Sequence, residues 1–172
     1  MTLSIDRSDL QAIAQRALEL AEARDIQIAT AESCTGGQIA SLLTGITSLG
    51  RFFDRGFVAY TDDAKTDQLG IPATAIARHG AVSEQIAKMM AKGALERSKA
   101  HIAIGVTGYA GPAGAHDEAG LVYLATIDRS GACAVRECRF GNAERDRVKD
   151  LATRAALEML GEGIAASREV VS

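Results

Sequence analysis

Apolar positions along the chain follow two rhythms, a helical spacing and short unbroken runs, and their alternation predicts helices layered on a sheet. Leu10, Ile13, Ala14, Ala17 and Ala21 recur at helical spacing, with Ser8 or Asp9 expected as the N-cap. Residues 26 to 31 form an apolar run expected as the first strand, and Ile39, Leu42, Leu43 and Ile46 then give the i, i+3, i+4, i+7 face of a helix. From Phe52 to Tyr60 the chain is aromatic and β-branched but broken by Asp54, Arg55 and Gly56. A strand is therefore expected only near 56 to 60, ending at Tyr60. Asp62 and Asp63 are expected to cap a short helix containing Lys65 that stops near Gly70 and Pro72.

A helix over 73 to 79 is expected to finish at His79-Gly80, and Ser83 reads as the N-cap of a longer one burying Ile86, Met89, Met90 and Ala94. Ile102 to Val106 is wholly apolar, as in a central strand covered on both faces. Leu121 to Ile127 and Ala132 to Phe140, joined at Asp128-Arg129-Ser130-Gly131, read as an antiparallel hairpin. A last helix carries Val148, Leu151, Ala152, Ala155 and Met159 on one face, and 163 to 172 read as a loose tail. The fold class expected is α/β: a three-layer α/β/α sandwich on a mixed, mostly parallel sheet.

Composition narrows the field. The 172 residues are 47% hydrophobic with no composition break, so one domain over 1–172 is expected, with a core of about 8–162. A net charge of −3 with scattered cations offers no attraction to phosphate backbones, and no run is long enough to span a membrane. No nucleic-acid or membrane partner is expected, and the absence of a signal-peptide pattern points to the cytoplasm. Cys34, Cys133 and Cys138 form no CxxC, and with His79, His101 and His116 they make no metal-ligand pattern. No disulfide framework, metal or cofactor is expected; Cys133 and Cys138 read as buried or inert thiols.

Chemistry concentrates in two glycine loops that follow strands: Glu32-Ser33-Cys34-Thr35-Gly36-Gly37 and Thr107-Gly108-Tyr109-Ala110-Gly111-Pro112. In open α/β sheets such loops converge on one pocket beyond the carboxyl ends of the strands. Neither is a GxGxxG or GxxxxGK[ST] fingerprint. Ser33 reads either as a helix N-cap or as a nucleophile at an electropositive helix end, and Cys34 competes with it. No histidine is placed to make Cys34 a thiolate, which favours serine. Lys65 reads as a solvated helix lysine, Tyr60 as a packing residue, His79 as the basic residue of a last turn. If Lys65 were instead buried beside Ser33, desolvation would favour a free amine able to accept the serine proton.

Taken together, Thr30 to Gly37, Arg55-Gly56-Phe57-Val58-Ala59-Tyr60 with Lys65, His79 to Glu84, and Thr107 to Pro112 resemble the CinA C-terminal domain family, the nicotinamide-nucleotide amidases. The resemblance runs over about residues 8 to 162. It implies hydrolysis of the carboxamide of nicotinamide mononucleotide to nicotinate mononucleotide and ammonia, in pyridine-nucleotide recycling. It also implies Ser33 as nucleophile, Lys65 as general base and Tyr60 as their assistant, with Thr107 in the matching second loop.

Amides around Cys34, Thr35, Gly36 and Gly37 are expected to hold the oxyanion, and those from Gly108 through Ala110 to Gly111 the substrate phosphate. Arg145 aligns with a family arginine and reads as a phosphate contact or as a surface ion-pair residue. The chain departs from the family at Glu118-Ala119-Gly120, where many relatives carry Lys-Pro-x-Gly. Two other readings stay open: a serine amidohydrolase of another small amide, and a non-catalytic nucleotide-binding or regulatory module of the competence and damage-associated kind. A homodimer is expected from the family and the domain's size.

Overall fold

A computed structural model describes residues 6–111 and 114–167. Helix α1 (Arg7–Ala23) leads into β1 (Ile28–Glu32) and α2 (Gln38–Thr44); a 3-10 turn, Gly50–Phe52, precedes β2 (Phe53–Val58). There follow α3 (Asp62–Leu69), α4 (Ala73–His79), α5 (Glu84–Glu96), β3 (Ile102–Gly108), β4 (Leu121–Asp128), β5 (Cys133–Arg139) and α6 (Arg145–Ala166). The sheet order is β2-β1-β3-β4-β5. β1 pairs in parallel with β2 and β3, while β4 is antiparallel to both β3 and β5, so β4 alone runs against the rest.

The layers follow from the alternation of side chains along β1. Ile28 packs into a core shared with α1, α2 and α6, whereas Ala29 and Ala31 face a second core with α3, α4 and α5. Both faces being covered, all five β1 residues are buried, Thr30 and Glu32 among them. Helix α5 lies directly on β3, because a Cβ on Gly105 would come 2.3 Å from the Ala87 carbonyl oxygen. No helix among the described residues is long and apolar enough to cross a membrane.

Several boundaries differ from the sequence reading. β2 begins at Phe53, since it is an edge strand whose backbone pairs with β1 while Arg55 is exposed and the half-buried Asp54 accepts from the Lys99 amide and from Arg55, both at 2.9 Å. It stops at Val58, leaving Tyr60 in the loop. The caps of α1 and α3 are Asp6 and Thr61, not Ser8 or Asp9 and not Asp62 or Asp63; Asp9 instead closes a capping box with Asp6. Residues 163 to 166 belong to α6, where Ile164 is fully buried, so the helix outruns the expected core, and of the expected tail 168–172 lie outside the described residues. Met89 and Leu151 are half-buried rather than in the core, and Cys133 is exposed. Ser83 caps α5 through its Oγ, which accepts from the Ile86 amide at 3.3 Å, and His79 ends α4, as expected.

Candidate active site at the carboxyl edge of the parallel strands

The first glycine loop is organised by Glu32, a residue the sequence reading passed over. Its carboxylate is fully buried and accepts from the Gly37, Ile39 and Ala40 amides at 3.1, 3.1 and 2.9 Å. The Thr35 and Thr30 hydroxyls add donors at 2.8 and 3.4 Å. The positive end of α2 is thus filled by the protein's own carboxylate. Two expectations change as a result. Ser33 is no N-cap, since Gly37 holds that position with φ +92° and Glu32 does the capping. Gly36 and Gly37 are not oxyanion donors: the Gly36 amide is bound to the Ser33 carbonyl at 3.0 Å and the Gly37 amide to Glu32. Among the described residues, the Cys34 and Thr35 amides make no main-chain hydrogen bond.

Ser33 extends the sheet by one rung, its amide donating to the Val106 carbonyl at 3.0 Å. The strand alternation assigns it to the side of Ala29 and Ala31, the side covered by α3, and assigns Cys34 to the opposite core, where it packs. Ser33 is 7% exposed, and among the described residues its Oγ makes no hydrogen bond. Burial pushes the Cys34 thiol up to about 12, with the Glu32 carboxylate adding to the effect, and its own amide, Arg145 and Lys65 only partly offset it. A thiol held neutral in this way is a packing group, not a nucleophile.

Lys65 is not the solvated lysine that α3's sequence suggests. It is 2% exposed, and its Nζ donates to the Tyr60 carbonyl at 3.1 Å and lies 3.6 Å from Asp62 Oδ1. Tyr60, in turn, is no packing residue: it is 60% exposed, and its Oη accepts from the Arg145 guanidinium at 3.3 Å. Arg145 is the first residue of α6, where a cation opposes the helix dipole. It reaches the second loop as well, because a Cβ on Gly111 would stand 3.1 Å from its Nη1. The arginine is exposed, and among the described residues its side chain meets Tyr60 rather than a carboxylate.

The second loop is partly committed to structure. Thr107 is buried and its hydroxyl donates to the Ala81 carbonyl at 2.7 Å, bracing β3 against the segment before α5. Gly108 pairs with Val122 within the sheet, and the Tyr109 amide is bound to Leu121 at 2.9 Å. Ala110 and Gly111 lie beyond the ladder; Pro112, named in the sequence motif, is outside the described residues. Glu118 is paired with Arg139 of β5, which ties the departure from the family pattern back to the sheet. A cleft of about 340 Å³ flanks the first loop, lined by Thr35, Gly36, Gly37, Gln38, Ser41, Asp146, Lys149 and Asp150. Among the described residues, no three His, Cys, Asp or Glu side chains are grouped to hold a metal.

The domain is a three-layer α/β/α sandwich that sets Ser33 just beyond β1, a buried Lys65 on α3, and an arginine-tyrosine pair joining the loop after β2 to the start of α6. The family model of the CinA C-terminal domain matches residues 10–164, and the chain belongs to that family. It is 38% identical to the nicotinamide-nucleotide amidohydrolase PncC of Escherichia coli, over 89% of this chain and 93% of that one. It is 39% identical to a putative competence-damage inducible protein of Caldicellulosiruptor saccharolyticus over 91% of its own length, but spans only 38% of that relative. Among solved structures, the competence/damage inducible protein CihA of Agrobacterium tumefaciens superposes with a TM-score of 0.88 at 43% identity, covering 96% of this chain and 99% of that one.

Proposed function

We propose that the chain is an amidohydrolase that deamidates nicotinamide mononucleotide through Ser33 and Lys65. The observation that carries the reading is the burial of Lys65 on the side of the sheet to which β1 directs Ser33, since an unneeded ammonium is costly to bury. Similarity to the Escherichia coli amidohydrolase over nearly the whole of both chains supports the substrate class. Ser33 Oγ attacks the carboxamide carbon as the Lys65 amine takes its proton. The carbonyl oxygen, now an anion, is met by the Cys34 and Thr35 amides. Lys65 then gives its proton to the departing nitrogen, releasing ammonia and leaving an acyl ester on Ser33. Water, deprotonated by Lys65, attacks the ester and frees nicotinate mononucleotide and the serine. Arg145 takes the phosphate, with Tyr60 orienting its guanidinium and the Ala110 and Gly111 amides completing the cradle.

The same machinery on another small amide is the alternative within enzymes, and the pairing of Glu118 with Arg139 bears on it by replacing the family's cation in that loop. A purely regulatory module would have no chemical use for the burial of Lys65, which supports the enzymatic reading. Ammonia release from nicotinamide mononucleotide by the purified protein tests the proposal: turnover that Ser33→Ala abolishes upholds it, and failure to cleave refutes the substrate.

A further inference from the structure

We infer that Glu32 is the positioning residue of the nucleophile loop, its carboxylate locking residues 33–37 so that Ser33 faces the substrate and the Cys34 and Thr35 amides stay open for the oxyanion. The inference rests on the amidohydrolase reading and names a residue that never touches the substrate. A glutamate at the end of a fully buried strand is costly unless its oxygens are met, and here five donors, the hydroxyl of Thr30 in the same strand among them, converge on two oxygens. Three of those donors are the amides that α2 would otherwise offer to an incoming anion. Glu32 therefore does two things at once. It removes the helix end as a competing anion site, and it anchors the loop at Thr35 and Gly37, beside the Cys34 and Thr35 amides, which among the described residues have no main-chain partner. Its charge also discourages ionisation of the neighbouring Cys34 thiol, keeping attack with the serine.

The two oxygens carry unequal loads, which makes a selective lesion possible. Oε2 serves Thr35, Gly37 and Ile39, while Oε1 serves Thr30 and Ala40. In Glu32→Gln the amide oxygen will keep the heavier set and its NH₂ will face the lighter one. The Thr30 hydroxyl can turn to accept; the Ala40 amide cannot, so one donor meets another at the first turn of α2. The loop then loses its all-acceptor, closed cap without losing volume.

The test compares wild type, Glu32→Gln and Leu42→Val, the last a milder packing lesion on the same helix, by melting temperature, by kcat and KM for ammonia release, and by labelling of Ser33 with a fluorophosphonate. Glu32→Gln is expected to lower kcat on the order of 10²-fold with KM little changed and to slow labelling in step, as misplacing a nucleophile and its oxyanion donors does. Leu42→Val is expected to lose melting temperature but not kcat. Wild-type kcat in Glu32→Gln, or losses that merely track melting temperature in both variants, would overturn the inference. If the wild type releases no ammonia, the amidohydrolase reading falls while labelling still decides this one: slowed labelling in Glu32→Gln upholds it, and equal labelling or an unreactive Ser33 refutes it.

Discussion

The Arg145 guanidinium donates to Tyr60 Oη at 3.3 Å, joining the first turn of α6 to the loop after β2 across 85 residues of sequence. A helix that begins with a cation sacrifices a favourable end charge, and the arginine's reach to both Tyr60 and Gly111 gives that placement a purpose. Arg145→Ala is expected to raise KM for nicotinamide mononucleotide about tenfold to a hundredfold, the worth of a hydrogen-bonded charge. Nicotinamide riboside, which lacks the phosphate, should feel little of this. An equal loss on both substrates in steady-state assays would remove Arg145 from phosphate recognition.

Lys65 offers a sharper separation of activity from stability. Lys65→Met keeps an unbranched side chain out to Cε and removes the amine, so turnover should fall by about 10²–10⁴, what general-base catalysis contributes. Melting temperature should change little, because the amine's bond to the Tyr60 carbonyl and its ion pair with the exposed Asp62 are exchanged for an apolar side chain at a buried position. Lys65→Arg should not rescue, since a guanidinium is always protonated. Activity retained in Lys65→Met would exclude the lysine as base.

Cys34 should be inert and Cys133 reactive. With its thiol pushed from 9.0 to about 12, Cys34 stays protonated at pH 8 in the folded chain, and iodoacetamide should label the exposed Cys133 alone. The same shift makes stability depend on pH. Above about pH 9 the unfolded chain releases the thiol proton while the folded chain keeps it, so the contribution of Cys34 is complete below pH 9 and is lost as pH climbs toward 12. Melting curves of wild type and Cys34→Ala should therefore converge in that window.

Gly105 sets the spacing of α5 on the sheet. A Cβ there would stand 2.3 Å from the Ala87 carbonyl oxygen and 2.6 Å from the Ala91 amide, so Gly105→Ala should destabilise by about 1–3 kcal/mol in denaturant titrations, the usual result of overpacking. An unchanged midpoint would mean that α5 can lift away.

What was legible in the sequence is instructive by contrast. The Ser83 cap of α5 and, Met89 apart, its buried face, the buried run of β3 and the β4-β5 hairpin are written in local pattern, and the structure carries them. Partnership was not. Asp54 and Arg55 looked like strand breakers because nothing local says that β2 sits at an edge with solvent on one side. Lys65 and Tyr60 depart from their local patterns for a related reason: a lysine on a polar, non-amphipathic helix has no sequence mark of burial, yet Lys65 is buried while the aromatic Tyr60 is exposed. Glu32 did leave a signal that went unread. An acid closing an apolar strand, with Thr35 three residues on and a helix starting six residues on, is the pattern of a carboxylate that caps from within the strand. Thr107, expected in the second loop, belongs to the end of β3, where it pairs with Tyr123 and its hydroxyl is engaged with Ala81.

The most direct test of the account is to quench the protein during turnover of nicotinamide mononucleotide and locate the acyl group by peptide mass spectrometry. An ester on Ser33, absent from Ser33→Ala and accumulating in variants slowed at deacylation, is the predicted result. An adduct on Cys34, or ammonia release undiminished in Ser33→Ala, would contradict it.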